Sequence, residues 1–224
     1  MFGRQAPKDH SNKQIKFLLR QALLPRIEPK VVLDLFAGRG EIASRLFLGF
    51  RELHCVEQNP RSFDFLQQRF APTLGARVTP PAQAAQPLIH LHHRDNLEFI
   101  SETVAGIPHI NLADFDAYGS PNPQLKAFFR HYPVAEPTLV FATDGGKLAR
   151  LRGRPWHPDW YSAREPEGPA APRYNHTVAQ GYELLIRQFW RELSCAHAFR
   201  IQTFKLVWKR GKMVAYYGIL LSPL

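Results

Sequence analysis

Two periods of apolar residues alternate along the chain, and each change of period marks the edge of an element. Ser11 can cap a helix that runs through Lys13, Ile15, Leu18, Leu19, Leu23 and Leu24, with Pro25 near its end. Val31 to Leu35 is a short β-branched run that predicts a buried strand ending at Ala37-Gly38-Arg39-Gly40. The same reading predicts helices over Glu41–Phe47, Pro60–Phe70, Asn96–Val104 and Gln124–Tyr132. It predicts strands over Leu53–Val56, Leu88–His92, His109–Ala113 and Thr138–Thr143. Ala71 to Pro87, rich in Pro, Ala and Gln, is expected to be a surface connection. Strand and helix in strict alternation specify a parallel, doubly wound sheet. The end of the chain differs. An amphipathic helix over Thr177–Leu193 precedes two strand-like runs, Phe199–Trp208 and Met213–Leu221, joined by the turn Lys209-Arg210-Gly211-Lys212. The expectation is an α/β fold with a seven-stranded, mostly parallel sheet and a C-terminal antiparallel hairpin.

Length and composition fit that picture. At 224 residues, 45% hydrophobic and 21% charged, the chain can bury one good core, so a single domain over residues 1–224 is expected. Within it, residues 1–28 form a basic helical extension and residues 147–176 a long loop insertion. Twenty-nine Lys and Arg stand against 19 Asp and Glu, a net charge of +10 that favours a polyanionic partner such as nucleic acid. Cys55 and Cys195 are far apart and lack CxxC spacing, which excludes a disulfide framework and a cysteine-rich zinc site. No stretch has the apolar length of a signal peptide or a membrane span, so a cytoplasmic protein without a membrane partner is expected.

In an open α/β sheet, ligands settle at the carboxyl ends of the strands. Asp34-Leu35-Phe36-Ala37-Gly38-Arg39-Gly40 closes the first strand, and Gly38 and Gly40 allow a tight turn and close approach of backbone to a ligand. Gly38 to Ala43 also fits the GxGxxG/A pattern of NAD proteins. Glu41, at the start of the following helix, would repel a pyrophosphate there. S-adenosylmethionine carries no phosphate but an ammonium and a sulfonium, so Asp34 near the glycines favours it. Glu57, closing strand two, can accept from both ribose hydroxyls. Asp95 and Asn96, after strand three, can address adenine, with a helix cap as the alternative role. Phe36 and Asp114 complete the expected cofactor set. The cofactor expected is S-adenosylmethionine.

Asp114-Phe115-Asp116-Ala117-Tyr118-Gly119-Ser120-Pro121 closes strand four, beside the expected methyl group. A carboxylate there can accept a hydrogen bond from an exocyclic amine and take its proton, which suits Asp116. Tyr118 offers a flat face for a flipped base, and Asp114 completes the catalytic candidates. The alternative is an ordinary capped turn. This loop resembles the D-x-D-P-F/Y-G-S-P loop of the tRNA (guanine-26) N2-dimethyltransferases. Asp34-Leu35-Phe36-Ala37-Gly38 and Ala142-Thr143-Asp144 are also similar to that family, over about residues 30 to 150. The resemblance implies a Rossmann-like methyltransferase fold, Asp116 as the catalytic-loop aspartate, and Asp34, Glu57 and Asp95 as cofactor ligands. Ala117 stands where the family has proline. The chain also ends after the hairpin, where the family continues into a C-terminal RNA-binding domain, so the RNA target is expected to differ.

Lys147, Arg150, Arg152 and Arg154, with Trp156, Trp160, Tyr161 and Tyr174, occupy a Pro-rich segment suited to phosphates and unpaired bases. The first four, with Trp156 and Trp160, are the substrate-binding candidates; aromatics packing back on the core are the alternative. Arg4, Lys8, Lys13, Lys16 and Arg20, and the turn cations Lys209, Arg210 and Lys212, read either as phosphate-tracking patches or as solvated faces. His54, His90, His92, His93 and His109 match no metal-site spacing, and no metal is expected. The function expected is methyl transfer to an amino nitrogen of nucleic acid, guanine N2 in RNA. DNA or protein is the alternative substrate, and a non-catalytic RNA-binding protein on the same fold is the alternative class.

Overall fold

The computed structural model describes residues 13–74, 87–151, 161–162, 177–209, 211 and 213–224. Helix α1 (Lys13–Leu23) gives way to a 3-10 turn at Leu24–Arg26, where Pro25 lacks the N–H that a further α-turn needs. Then follow β1 (Val31–Asp34), α2 (Glu41–Leu46), β2 (Glu52–Val56), α3 (Pro60–Leu74), β3 (Leu88–His92), α4 (Asn96–Glu102), β4 (Ile110–Phe115) and α5 (Asn122–His131). The chain continues through β5 (Thr138–Asp144), α6 (Gly146–Leu151), α7 (Thr177–Ala196), β6 (Phe199–Trp208) and β7 (Ala215–Pro223). The expected cap Ser11 lies outside the described residues.

The strands form one seven-stranded sheet in the order β3-β2-β1-β4-β5-β7-β6. β1 to β5 run parallel, whereas β7 is antiparallel to both β5 and β6. The chain moves outward from β1 to β3, then returns to lay β4 beside β1. That reversal opens a crevice at the carboxyl ends of β1 and β4, where an open sheet takes its ligand.

Both faces of the sheet are covered, so β1, β4 and β5 are buried throughout and apolar in their central residues. On one face Leu19 and Leu23 of α1 pack with Phe47, Leu53, Leu66, Phe70 and Phe141. On the other, Leu33 and Val56 pack with Phe99, Phe128, Phe129, Phe189 and Trp190 from α4, α5 and α7. Alternate residues of each strand serve alternate layers. No helix among the described residues is long and apolar enough to cross a membrane.

Some boundaries depart from the sequence expectation. His109 has φ of 60°, a left-handed conformation that no strand residue adopts, so β4 starts at Ile110. α3 continues past Phe70 to Leu74, through Pro72, into the stretch expected to be a connection. Val104 belongs to a 3-10 turn (Val104–Gly106) rather than to α4. The segment after β5 opens with α6, so Lys147 and Arg150 lie on a helix rather than a loop.

Candidate functional site

Parallel register sets the site. β1 and β4 pair with Asp34 opposite Asp114, bringing two carboxyls side by side at the strand ends. Asp116 follows two residues on. Burial raises the pKa of Asp34 well above the ordinary carboxyl value, and the charges of Asp114 and Asp116 add to the rise; Asp34 also accepts from the Phe36 N–H at 3.3 Å.

α1 supplies the countercharge. The Arg20 guanidinium, 2% exposed, donates to both oxygens of Asp114 at 2.7 Å, and Asp114 itself is 1% exposed. Burial still raises the Asp114 pKa, opposed by Arg20. Lys16, one turn before Arg20, forms an ion pair with Asp116, and the Thr143 hydroxyl donates to the same carboxylate oxygen. Burial pushes the Asp116 pKa up, but the Lys16 and Arg20 charges and the two hydrogen bonds outweigh it and hold the group below its ordinary value. Asp116 is therefore a fixed, ionised acceptor of low basicity.

The neighbouring loops are tied together. The Gly145 N–H donates to the Gly119 carbonyl at 2.6 Å, joining the ends of β4 and β5. Gly119 has φ of 118°, which only glycine adopts readily. Beside it, Tyr118 is 98% exposed, a free aromatic face two residues from Asp116. Beneath them Asp144 is fully buried, accepting from the hydroxyls of Tyr161 at 2.9 Å and Tyr182 at 2.7 Å and from the Gly146 N–H at 2.8 Å. Burial raises its pKa to about 6 despite those donors.

The glycine turn has the expected left-handed residues: φ is 55° at Gly38 and 71° at Gly40, which caps α2. A Cβ on Gly40 would lie 2.7 Å from Leu66 Cδ1, so α3 packs against this turn. A Cβ on Gly38 would meet only the Phe36 carbonyl oxygen at 3.9 Å, leaving open space along the backbone. Glu57 braces the turn, accepting from the Gly38 N–H at 2.9 Å and the Asn59 N–H at 2.6 Å. Asp95 caps α4, its Oδ1 accepting from the Leu97 and Glu98 N–H groups, and Asn96 is buried with its carbonyl oxygen unpartnered. Glu41 is paired with Lys13 at 2.6 Å, so its repulsion of a phosphate is partly offset. Strand order and the β6–β7 hairpin argue against an NAD fold more strongly than Glu41 does.

Asp34, Asp114 and Asp116 thus converge; Phe36, Gly38, Gly40 and Glu57 border them at the β1 and β2 ends, and Asp95 and Asn96 stand at the neighbouring β3 end. Lys147 is half-buried, its ammonium 5.7 Å from the Trp208 ring centroid. The Arg150 side chain and Arg152, Arg154, Trp156 and Trp160 lie outside the described residues, as do Tyr174, Arg4 and Lys8. Tyr161 is 3% exposed and committed to Asp144, so the expectation that it meets a base is corrected to core packing. Lys16 and Arg20, expected on a patch or a solvated face, point inward. The signal was present: Lys16 and Arg20 share one helical stripe with Leu19 and Leu23.

Neither a protein-family model nor a curated protein sequence matches the chain. Solved structures do. Trm1 from Pyrococcus horikoshii, in complex with S-adenosyl-L-methionine, superposes with a TM-score of 0.61 at 15% identity, over 98% of this chain and 56% of that one. A putative methyltransferase, yhhF, from Escherichia coli gives 0.55 at 15% identity over 99% and 94%. TYW2 from M. jannaschii, in complex with AdoMet, gives 0.53 at 10% identity over 98% and 80%. The chain spans little more than half of the archaeal Trm1. At these identities the likeness is one of fold, and the chain has the seven-stranded, Rossmann-like methyltransferase fold.

Proposed function

We propose that the chain is an S-adenosylmethionine-dependent methyltransferase acting on an amino nitrogen of nucleic acid, guanine N2 in RNA. The observation that carries this reading is Asp116, held ionised by Lys16 and Thr143, two residues from the fully exposed ring of Tyr118.

The residues fit the cofactor. Open space beside Gly38 admits a ligand against the backbone, and Glu57 stands at the β2 end with a carboxylate for ribose hydroxyls. Arg20 and Lys16 balance Asp114 and Asp116, while burial disfavours the ionised form of Asp34. S-adenosylmethionine carries one net positive charge, which would favour ionised Asp34 beside it. When bound it supplies an electrophilic methyl group.

This chain's own residues then position the acceptor. Tyr118 stacks a base turned out of its helix, and Asp116 accepts a hydrogen bond from the exocyclic amine, fixing the nitrogen lone pair toward the methyl. Because Lys16 and Arg20 lower its basicity, Asp116 serves first to orient the amine. The proton leaves the nitrogen only once methylation has made it cationic, when its N–H is acidic enough for the weakly basic Asp116 carboxylate to accept it. Asp114, both oxygens on Arg20, acts through position. The +10 charge supports a nucleic acid over a protein substrate.

The test is incubation with methyl-labelled S-adenosylmethionine and unmodified tRNA, rRNA, DNA or protein, followed by nucleoside analysis. Label is expected in RNA as N2-methylguanosine. Asp116→Ala should lower transfer by about 10²–10³-fold while retaining cofactor binding, the scale for loss of one preorganised electrostatic contact. Label in DNA or protein would overturn the RNA assignment. RNA binding without transfer would make the chain a binding protein on this fold.

A further inference from the structure

At the sheet edge opposite the β6–β7 hairpin, β2 and β3 pair in parallel with Glu52 opposite Leu88, His54 opposite His90 and Val56 opposite His92. Alternate residues of a strand share a face, so Glu52, His54, His90 and His92 project together, away from Cys55 and Ile89. Glu52 Oε1 lies 2.9 Å from His54 Nε2 and 3.1 Å from His90 Nε2. One ligand atom from each of these three residues falls within 4.8 Å of the others. The His54 and His90 rings stack nearly parallel, with centroids 4.4 Å apart. His90 Nε2 is closed off from solvent, and though near the carboxylate it makes no hydrogen bond of acceptable direction.

We propose that Glu52, His54 and His90 form a binding site for a divalent transition-metal ion of the zinc type. Zn²⁺, a cation of borderline softness, takes imidazole nitrogen and carboxylate oxygen at about 2.0–2.2 Å. Tetrahedral coordination at that radius separates ligand atoms by about 3.3 Å. The two carboxylate–imidazole separations of 2.9 and 3.1 Å therefore need only a few tenths of an ångström of adjustment, and the two imidazole nitrogens, within 4.8 Å of each other, would have to settle at the same spacing. A further contact supports the site. Without an ion His54 Nε2–H donates to Glu52; an ion at that nitrogen would take its lone pair, with the proton then on Nδ1, which lies 3.1 Å from His92 Nε2 and can donate to it. His90 and Glu52 are partly exposed as side chains, so the site lies near the molecular surface although His90 Nε2 itself is covered. The site lies toward the N-terminal half of β2. Glu57 lies three positions on from His54, about 10 Å of strand, so the ion's effect is to clip the edge strand β3 to β2 rather than to take part at the crevice.

Spacing alone hid this site, because His54 and His90 are brought together by strand register across an intervening helix.

Untagged protein, stripped with chelator, is titrated with Zn²⁺ against a chromophoric chelator and separately with Co²⁺. The expected result is one equivalent bound with micromolar or tighter affinity, ligand-field bands of four- or five-coordinate Co²⁺, and a rise in melting temperature with Zn²⁺. His90→Gln, on the exposed edge strand, should keep the fold and weaken binding by more than about 100-fold. His92→Phe should weaken it by about 10- to 100-fold. His109→Gln should change nothing. Absence of binding at tens of micromolar Zn²⁺, or binding untouched by both His90→Gln and Glu52→Gln, would overturn the proposal.

Discussion

Asp144 sits under the crevice with no exposure and three donors aimed at it, yet its pKa is about 6, since burial outweighs the hydrogen bonds. The sign of the linkage follows. A carboxyl whose folded pKa exceeds its unfolded value near 3.8 destabilises the fold where it is ionised, above pH 6. That cost is relieved as pH falls from about 6 toward 4. At neutral pH the cost is about 3 kcal/mol. Asp144→Asn removes the titration, so wild type should gain stability relative to the variant between pH 7 and pH 4 in urea melts. A difference that stays constant over that range would show that Asp144 does not titrate there. Arg20 was the least legible residue in the sequence. Its charge argued for solvent, and only the helical stripe it shares with Leu19 and Leu23 placed it inside. Asp34 and Asp116 were legible because a carboxylate at the end of a buried strand has few structural reasons to be there. Asp95 caps α4, the role that its capping alternative described.

At the scale of elements, α1 is more than an extension. Its C-terminal end docks where Gly218 of β7 leaves room: a Cβ there would come within 2.5 Å of Leu23 Cδ1 and 2.8 Å of the Phe141 ring. The helix is thus fixed against the sheet by apolar packing at one end and by Arg20 and Lys16 on the site carboxylates at the other. Arg20→Ala leaves Asp114 buried without its partner, and such a change costs about 3–5 kcal/mol. Chemical denaturation should report that loss. Lys16→Ala breaks a partly exposed pair and should cost much less stability. It also frees Asp116 of its nearest cation, so the Asp116 pKa should rise and transfer should fall at the acidic end of the pH profile. Equal stability losses in the two variants would contradict this division. Strands were legible almost residue for residue because burial on both faces leaves an apolar signature. Helix ends were not. α3 runs on through Pro72 to Leu74, and α4 stops at Glu102 before a 3-10 turn, neither of which the apolar spacing marks.

For the whole molecule, alternating units followed by a helix and hairpin specified the sheet, and the observed order places the reversal between β1 and β4. The position of β7 between β5 and β6 was not legible, because antiparallel partners can join either way round and the choice depends on which strand covers Phe141 and Val140. The central claim is that the carboxyl ends of β1, β2 and β4 hold S-adenosylmethionine. Equilibrium binding of S-adenosylhomocysteine by calorimetry, beside NADH as the competing ligand of a Rossmann-like crevice, tests it most directly. The account predicts micromolar binding of S-adenosylhomocysteine and none of NADH. Glu57→Ala should weaken it by about 10- to 100-fold, the value of a charge-assisted hydrogen-bond pair. Binding of NADH with no affinity for S-adenosylhomocysteine would contradict it.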